Sequence, residues 1–248
     1  MKPFSSLHER WATPTRGATL RGGGPGRRRW WLRPRVGCPA VLALAGLLGI
    51  LVPALLPDSG DGVLHRWRDG TTHGPWRAVF DGEGISGVRD GVIVLRPKPA
   101  VQPAETHACL VVSRKTYHDM DLSIRFRTTA QLRQPQPNPW EVAWVVWAYT
   151  DEHHFYYLTL KPNGWELGKR DPAYPGGQRF LATGDPEFPV DRWYQVKISQ
   201  RGATMTVRIK DRELTVHADE ERPYLSGAVG VYTEDAETEF RSIKVSPR

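Results

Sequence analysis

The stretch from Trp140 to Gly184 constrains this chain more than any other, because its large side chains recur at every second residue. From Glu141 to Tyr149 an apolar set, Val142, Trp144, Val146 and Ala148, alternates with a mixed set, Glu141, Ala143, Val145, Trp147 and Tyr149. A strand sends successive side chains to opposite faces, so it can use a period of two; a helix cannot. Phe155 to Leu160 repeats the pattern, Lys161-Pro162-Asn163-Gly164 has the residues of a turn, and Trp165 to Arg170 reads as the return strand. The stretch is therefore expected to form three consecutive antiparallel strands.

The turns also set a register. If Leu160 pairs with Trp165, then Thr159 faces Glu166, Leu158 faces Leu167 and Tyr157 faces Gly168. If Tyr149 pairs with Phe155, Trp147 lies opposite Tyr157. One face then carries Trp144, Val146, Ala148, Tyr156, Leu158, Leu160, Trp165 and Leu167, the makings of a core. The other carries Glu141, Trp147, Tyr149, Phe155, Tyr157, Glu166 and Arg170. Rings mixed with charged groups on a solvent-facing sheet suit sugars, whose CH faces stack on aromatics while their hydroxyls seek fixed polar partners. A second layer burying this face is the competing expectation.

The formal net charge of +7 suggests an anionic partner until it is located. Residues 1–35 hold nine of the 34 Lys and Arg against the single Glu9, so the remainder carries 25 basic and 26 acidic residues, a balance of −1. A near-neutral folded part removes the electrostatic case for nucleic acid. Cys38 and Cys109 are the only cysteines and lie in different parts of the chain, so the globular part holds no internal disulfide. Cys109, between Ala108 and Leu110, reads as a small buried hydrophobe.

Residues 1–35 are rich in Arg, Gly and Pro without periodicity and are expected to be disordered. Residues 36–57 carry no charge, and their length is close to the ~20 residues of a membrane-spanning helix with a positive cytoplasmic flank. Arg28-Arg29-Trp30-Trp31-Leu32 also resembles a twin-arginine export pattern, and Val52-Pro53-Ala54 offers small residues for cleavage. The segment is therefore either a signal anchor, which holds the soluble part on the outer side of a membrane, or an export signal whose removal secretes it. Residues 58–74 read as a polar linker and residues 75–248 as the folded domain.

Beyond Pro75 no stretch has helical periodicity. Strands are expected at 76–80, 85–88, 92–95, 108–112 and 121–127, then in the three segments above. Further strands are expected at 179–182, 194–200, 204–209, 213–217, 227–233 and 239–245. Many short strands at regular spacing argue for an all-β sandwich or jelly roll. The order WYQVKI, GATMTVRI and SGAVGVYTEDAETEFRSIKV, beginning at Trp193, resembles the second half of concanavalin A-like jelly rolls. In particular it is similar to the 3-keto-disaccharide hydrolase-like family, related to laminin-G-type and family 16 glycosidase-like domains. The resemblance covers roughly residues 76–246 and implies a concanavalin A-like jelly-roll β-sandwich. It also implies a glycoside hydrolase-like activity on a carbohydrate or cell-wall glycan. The alternating three-acid strand of family 16 glycosidases is missing, so that mechanism does not carry over.

Glycosidic hydrolysis ordinarily uses two carboxyl groups about 5 to 10 Å apart. Glu141 and Glu166 are the candidate pair, yet the expected register separates them by roughly 16 Å. Either would then need a partner from a loop, such as Asp151, Asp171 or a histidine. Trp147, Tyr149 and Tyr157 are the expected stacking rings, with His154, Arg170, Asp171 and Tyr174 as polar or rim contacts. His153 and His154, being neighbours on an extended segment, point apart and make no preformed metal site. No cofactor is expected; a structural calcium, common in jelly rolls, would draw on Glu234-Asp235 or Phe80-Asp81. A non-catalytic glycan-binding module and a structural envelope protein remain the alternatives.

Overall fold

The computed structural model describes residues 62–248, which form a two-sheet all-β sandwich. The first sheet contains β1 (His65–Trp67), β4 (Ile85–Arg89), β5 (Val92–Arg96), β7 (Met120–Gln131), β12 (Tyr194–Arg201), β13 (Thr204–Ile209), β14 (Arg212–Ala218) and β16 (Ala236–Pro247). Its order is β1-β4-β5-β16-β7-β12-β13-β14. The second contains β2 (Thr72–His73), β3 (Trp76–Phe80), β6 (Ala108–Tyr117), β8 (Ala143–Asp151), β9 (His154–Lys161), β10 (Gly164–Arg170), β11 (Gln178–Gly184) and β15 (Gly227–Glu234). Its order is β11-β10-β9-β8-β15-β6-β3-β2. Every strand expected from the sequence is present. Two were missed: β1 and β2 lie inside the segment read as a linker, where Trp67 stacks on His73 with ring centroids 4.8 Å apart. Strands of three and two residues are too short to show a period, which is why they read as linker. The disordered tail and the spanning segment fall outside the described residues.

One apolar cluster draws on both sheets and therefore lies between them. From the first sheet come Leu122, Ile124, Phe126, Val196, Ile198 and Phe240, and from the second Val145, Trp147, Tyr156, Leu158 and Leu167. A separate cluster, including Leu110, Val112, Trp144, Val146, Phe155, Tyr157 and Tyr232, belongs to the second sheet alone and occupies its outer face. That sheet is apolar on both faces, so its strands read as near-continuous hydrophobic runs.

The β9–β10 register is the expected one, with Leu160 opposite Trp165, Thr159 opposite Glu166 and Tyr157 opposite Gly168. The β8–β9 register is not. Val146 lies opposite Tyr157, and Trp147 opposite Tyr156. Pairing slips by one residue relative to the expectation, and in a strand a one-residue slip exchanges the faces. The cause is a bulge between Trp147 and Asp151, where Ala148 takes a positive φ of 49° and four steps of β8 run against two of β9. Counting back from Tyr149 without the bulge puts Trp147 on the wrong side. The bulge packs directly against β15, where a Cβ at Gly227 would come within 2.2 Å of the Ala148 carbonyl carbon. Only glycine fits there.

Trp147 thus sits in the inter-sheet core, 0% exposed and 5.8 Å from Tyr156 between ring centroids. Replacing it with alanine is expected to cost about 3–5 kcal/mol, read from the urea unfolding midpoint at unchanged slope. A near-neutral effect would place the ring outside the core.

Candidate functional site

Four strands bring Glu166, Thr159, Trp144 and Tyr232 into one row across the outer face of the second sheet, each opposite the next. Trp144 is flanked by Tyr157 at 4.6 Å and Tyr232 at 5.2 Å between centroids, the first tilted by 35° and the second near edge-on. Phe155 and Tyr149 extend the aromatic surface, 6.1 Å apart. A carboxylate stands at each end. Glu166 accepts the Tyr157 hydroxyl at 2.8 Å and the Lys161 ammonium at 2.7 Å. Glu234 accepts the Tyr232 hydroxyl at 2.6 Å.

Two glycines shape the next row, since Gly168 and Gly230 lie level with Tyr157 and Val146. A Cβ at Gly168 would meet the Tyr157 hydroxyl at 2.2 Å, so that ring reaches Glu166 only because residue 168 has no side chain. Gln178, opposite Arg170 on β11, donates its amide to the Tyr157 hydroxyl. Burial and then the Glu166 charge push the Tyr157 phenol well above its ordinary pKa, and Arg170 pulls the other way. Tyr232 is raised in the same way, by burial and then by Glu234. Both phenols therefore keep their protons at neutral pH. Thr159, buried in the middle of the row, holds a hydroxyl with no hydrogen-bond partner among the described residues. An unpaired buried hydroxyl costs about 1–3 kcal/mol.

The structure sorts the residues expected to act together into three places. Tyr149, Tyr157, Glu166 and Arg170 belong to or border the outer face, but that face is not the solvent-facing one expected: Tyr157, Tyr149 and Glu166 are buried, at 0%, 5% and 6% exposed. Trp147 does not; it is a core residue, and Trp144 stands where it was expected. Glu141, wholly buried, accepts bonds from the Arg133 guanidinium, from Asn138 Nδ2 at 2.9 Å and from the Asn138 backbone amide at 2.9 Å. It lies in the turn before β8, whose Trp144 is level with Glu166 two strands away, and strand spacing puts the two backbone positions roughly 14 Å apart. Two-carboxylate hydrolysis places the carboxyl groups at most ~9.5 Å apart. With Glu141 held by Arg133 and Asn138 and Glu166 by Tyr157 and Lys161, the structure does not bring the two together as a dyad.

His154, Asp171 and Tyr174 form a third group. His154 Nδ1 lies 2.9 Å from both oxygens of Asp151, and its ring meets Tyr224 edge-on at 5.9 Å. It shares the inward parity of Tyr156, away from the aromatic row. Asp171 accepts from the Ala173 amide at 2.9 Å and Arg222 Nε at 3.0 Å; burial opposes ionisation, but these bonds outweigh it and hold the carboxyl below its usual value. The Tyr174 hydroxyl donates to Glu221 at 2.9 Å and accepts from Arg179 at 3.0 Å. Beneath them the buried Lys169 ammonium binds Asp219 at 2.8 Å, and Asp219 also accepts the Tyr156 hydroxyl at 2.7 Å. These side chains clamp the 219–224 segment onto β9 and β10.

Arg133 forms the other clamp. Besides Glu141 it donates to Asp235 at 2.8 Å and to the carbonyls of Glu105 at 2.8 Å and Gln102 at 3.1 Å, fastening the β5–β6 connection. The residues expected to offer oxygens to calcium are engaged in this way, Asp235 by Arg133 and Glu234 by Tyr232. Among the described residues no cluster of three or more His, Cys, Asp or Glu could hold a metal.

Sequence reasoning missed Trp144, Thr159, Gln178 and Tyr232 as members of one surface. Thr159 could have been found, because its pairing with Glu166 is the expected one; Trp144 and Tyr232 depend on the bulge and on a strand distant in sequence, and Gln178 on the β10–β11 pairing across the 171–177 loop.

A similar sandwich is found in a carbohydrate-binding module. Carbohydrate-binding module CBM66 from Bacillus subtilis is similar at 15% identity and a TM-score of 0.50, over 69% of this chain and 95% of that one. A Bacillus subtilis protein described as having a galectin-like fold is 14% identical with a TM-score of 0.50, over 75% and 100%. A glycosidic hydrolase, 8% identical over 76% and 97%, has a TM-score of 0.48. No curated protein sequence matches. Residues 61–246 match the family model of the 3-keto-α-glucoside-1,2-lyase-like domain, and the chain belongs to that family.

Asp235 provides a pH test of the Arg133 clamp. Burial raises its carboxyl to about 6, with Arg133 opposing and Glu141 and Glu234 adding to the rise; His107 Nδ1 is 3.8 Å away. A carboxyl raised from 3.8 in the unfolded chain stabilises the fold below about pH 4, and that contribution is lost as pH rises to about 6. Stability curves of the natural chain and Asp235→Asn, measured by thermal unfolding from pH 4 to 7, should therefore differ in slope between pH 4 and 6 only. Parallel curves across that window would contradict the raised value.

Proposed function

We propose that the chain is a carbohydrate-active protein that receives a sugar on the outer face of its second sheet and acts by elimination, not by two-carboxylate hydrolysis. The observation that carries this is the row Glu166, Thr159, Trp144 and Tyr232: one carboxylate, one unpaired hydroxyl and two rings at the same level. Trp144 and Thr159 are 2% and 0% exposed, so a sugar reaches them only by displacing the rings packed against Trp144, after which one of its hydroxyls satisfies Thr159. The rings are at most 7% exposed, so access begins at the β10–β11 edge, where Phe180 is 49% exposed and Arg170 and Gln178 are half-buried.

The family description names a 1,2-lyase of 3-keto-α-glucosides. Such an elimination needs one base. The base takes the C2 proton, which the neighbouring C3 ketone acidifies; that electron pair becomes the C1–C2 double bond, and the C1–oxygen bond to the departing group breaks. Glu166 is the base, and the proton it takes from C2 passes to the departing oxygen, which restores the carboxylate; Tyr157 holds Glu166 in place through its hydroxyl at 2.8 Å. Glu141 has no part in this. The chain is carried on the outer side of a membrane by residues 36–57, or secreted if they are cleaved.

The second reading, a glycan-binding module without turnover, uses the same face and is favoured by the engagement of Glu166 with Tyr157 and Lys161. Glu166→Gln is expected to slow release of the departing group from a 3-keto-α-glucoside about 10²- to 10⁴-fold while leaving binding intact, and Glu141→Gln should leave the rate unchanged. Full activity in Glu166→Gln would sink the elimination. Sugar binding by calorimetry that Trp144→Ala abolishes, with no turnover in the natural chain, would instead select the binding module.

A further inference from the structure

The outer face of the first sheet is as polar as that of the second is apolar, and its charges are one-sided. Arg125 lies opposite Arg241 on one pair of strands, and Lys197 lies opposite Arg208 on another. Like charges directly opposite each other destabilise a sheet. Lys244 joins the group, because both it and Lys197 pair with Ser123 between them. Lys197, Arg208 and Lys244 are exposed, and Arg125 is half-buried. Trp193 lies under the cluster, with the guanidinium carbons of Arg241, Arg127 and Arg125 at 4.1, 5.0 and 5.9 Å from its ring.

The acids on the same face are already committed elsewhere. Glu239 is shared between Arg89 and Arg127 at 2.8 Å each, and Asp121 between Arg201 at 2.7 Å and Arg248 at 2.6 Å. Arg125, Lys197 and Lys244 have no ion pair among the described residues, and Arg208 has only Glu213 at 3.9 Å. In a folded part whose overall charge is near zero, this is a concentrated cationic patch.

We propose that this face docks on anionic phospholipid headgroups. The charge argument stands without the membrane reading; the choice of a lipid surface over another anion rests on it. The uncharged run ends at residue 57 and β1, an edge strand of this same sheet, begins at His65. The intervening residues, even fully extended, reach only about 25 Å. A chain held in a bilayer by that run keeps this sheet within reach of the headgroups of the leaflet it faces, and where those headgroups are anionic each basic residue adds to the attraction. Docking by the first sheet leaves the aromatic row of the second free to meet a sugar.

The test uses the full chain with vesicles of phosphatidylcholine alone or mixed with phosphatidylglycerol, and follows amine labelling of single lysines by mass spectrometry. Labelling of Lys197 and Lys244 should slow at least about fivefold on the anionic vesicles relative to the neutral ones. High salt should restore it, and exposed Lys115 of the second sheet should be unaffected. Arg125→Glu combined with Arg208→Glu should remove the protection. Flotation with both vesicle types without selective protection would overturn this proposal alone. Failure to float with either type, with both lysines fully labelled, would overturn the membrane reading as well. Protection by duplex DNA but not by anionic vesicles would assign the patch to a different partner and also overturn it.

Discussion

The pairing of Trp147 with Tyr156 decides which side of the second sheet each of its largest rings occupies. The bulge at Ala148 sets that pairing, and Gly227 allows it by letting β15 approach the bulged backbone within a distance no side chain tolerates. With Trp147 turned inward, Trp144 is turned outward, and the row with Glu166, Thr159 and Tyr232 exists. A bulge is a local device for re-aiming side chains. Here it separates a tryptophan of the inter-sheet core from one buried in the outer-face cluster three residues away.

Buried charge serves a different purpose in this domain from the one its position first suggests. Glu141, Asp171, Asp219 and Asp235 are all wholly or almost wholly buried, and each is tied to a basic side chain and to backbone amides or hydroxyls. Breaking such a pair strands a charge and is costly, so these pairs act as fasteners between loops and sheet. Arg133 and Lys169 are the two centres. Once their partners are set aside, Glu166 and Glu234 are the acids left on the aromatic face, each bonded to a tyrosine that lies against Trp144. Glu141, held by Arg133 and Asn138, does not join them.

The two outer faces differ in chemistry. One is lined with rings and glycines, the other with arginines and lysines around Trp193. Their opposite characters follow from the alternation along each strand: in β7 and β12 the inward residues are Leu122, Ile124, Val196 and Ile198, so Arg125 and Lys197 are necessarily outward. In β8, β9 and β15 both sets are apolar, so both faces are.

Much of this was legible from residue order. Strand positions follow from period-two alternation broken by Gly, Pro, Asn and Asp; the β9–β10 hairpin follows from its four-residue turn; and the family resemblance rests on the closing strands. What residue order left undecided has one physical root, the non-local pairing of strands. Nothing local marks Ala148 as the site of a positive φ, so the face of Trp147 was misread; nothing local places Tyr232 beside Trp144, 88 positions earlier, or gives Glu141 to Arg133. By itself the sequence determined that the chain is a β-sandwich with an aromatic hairpin. Only the tertiary structure decided which rings and acids share a surface, because a side chain's face depends on the register of its neighbours and register is settled by backbone bonds between strands far apart in the chain.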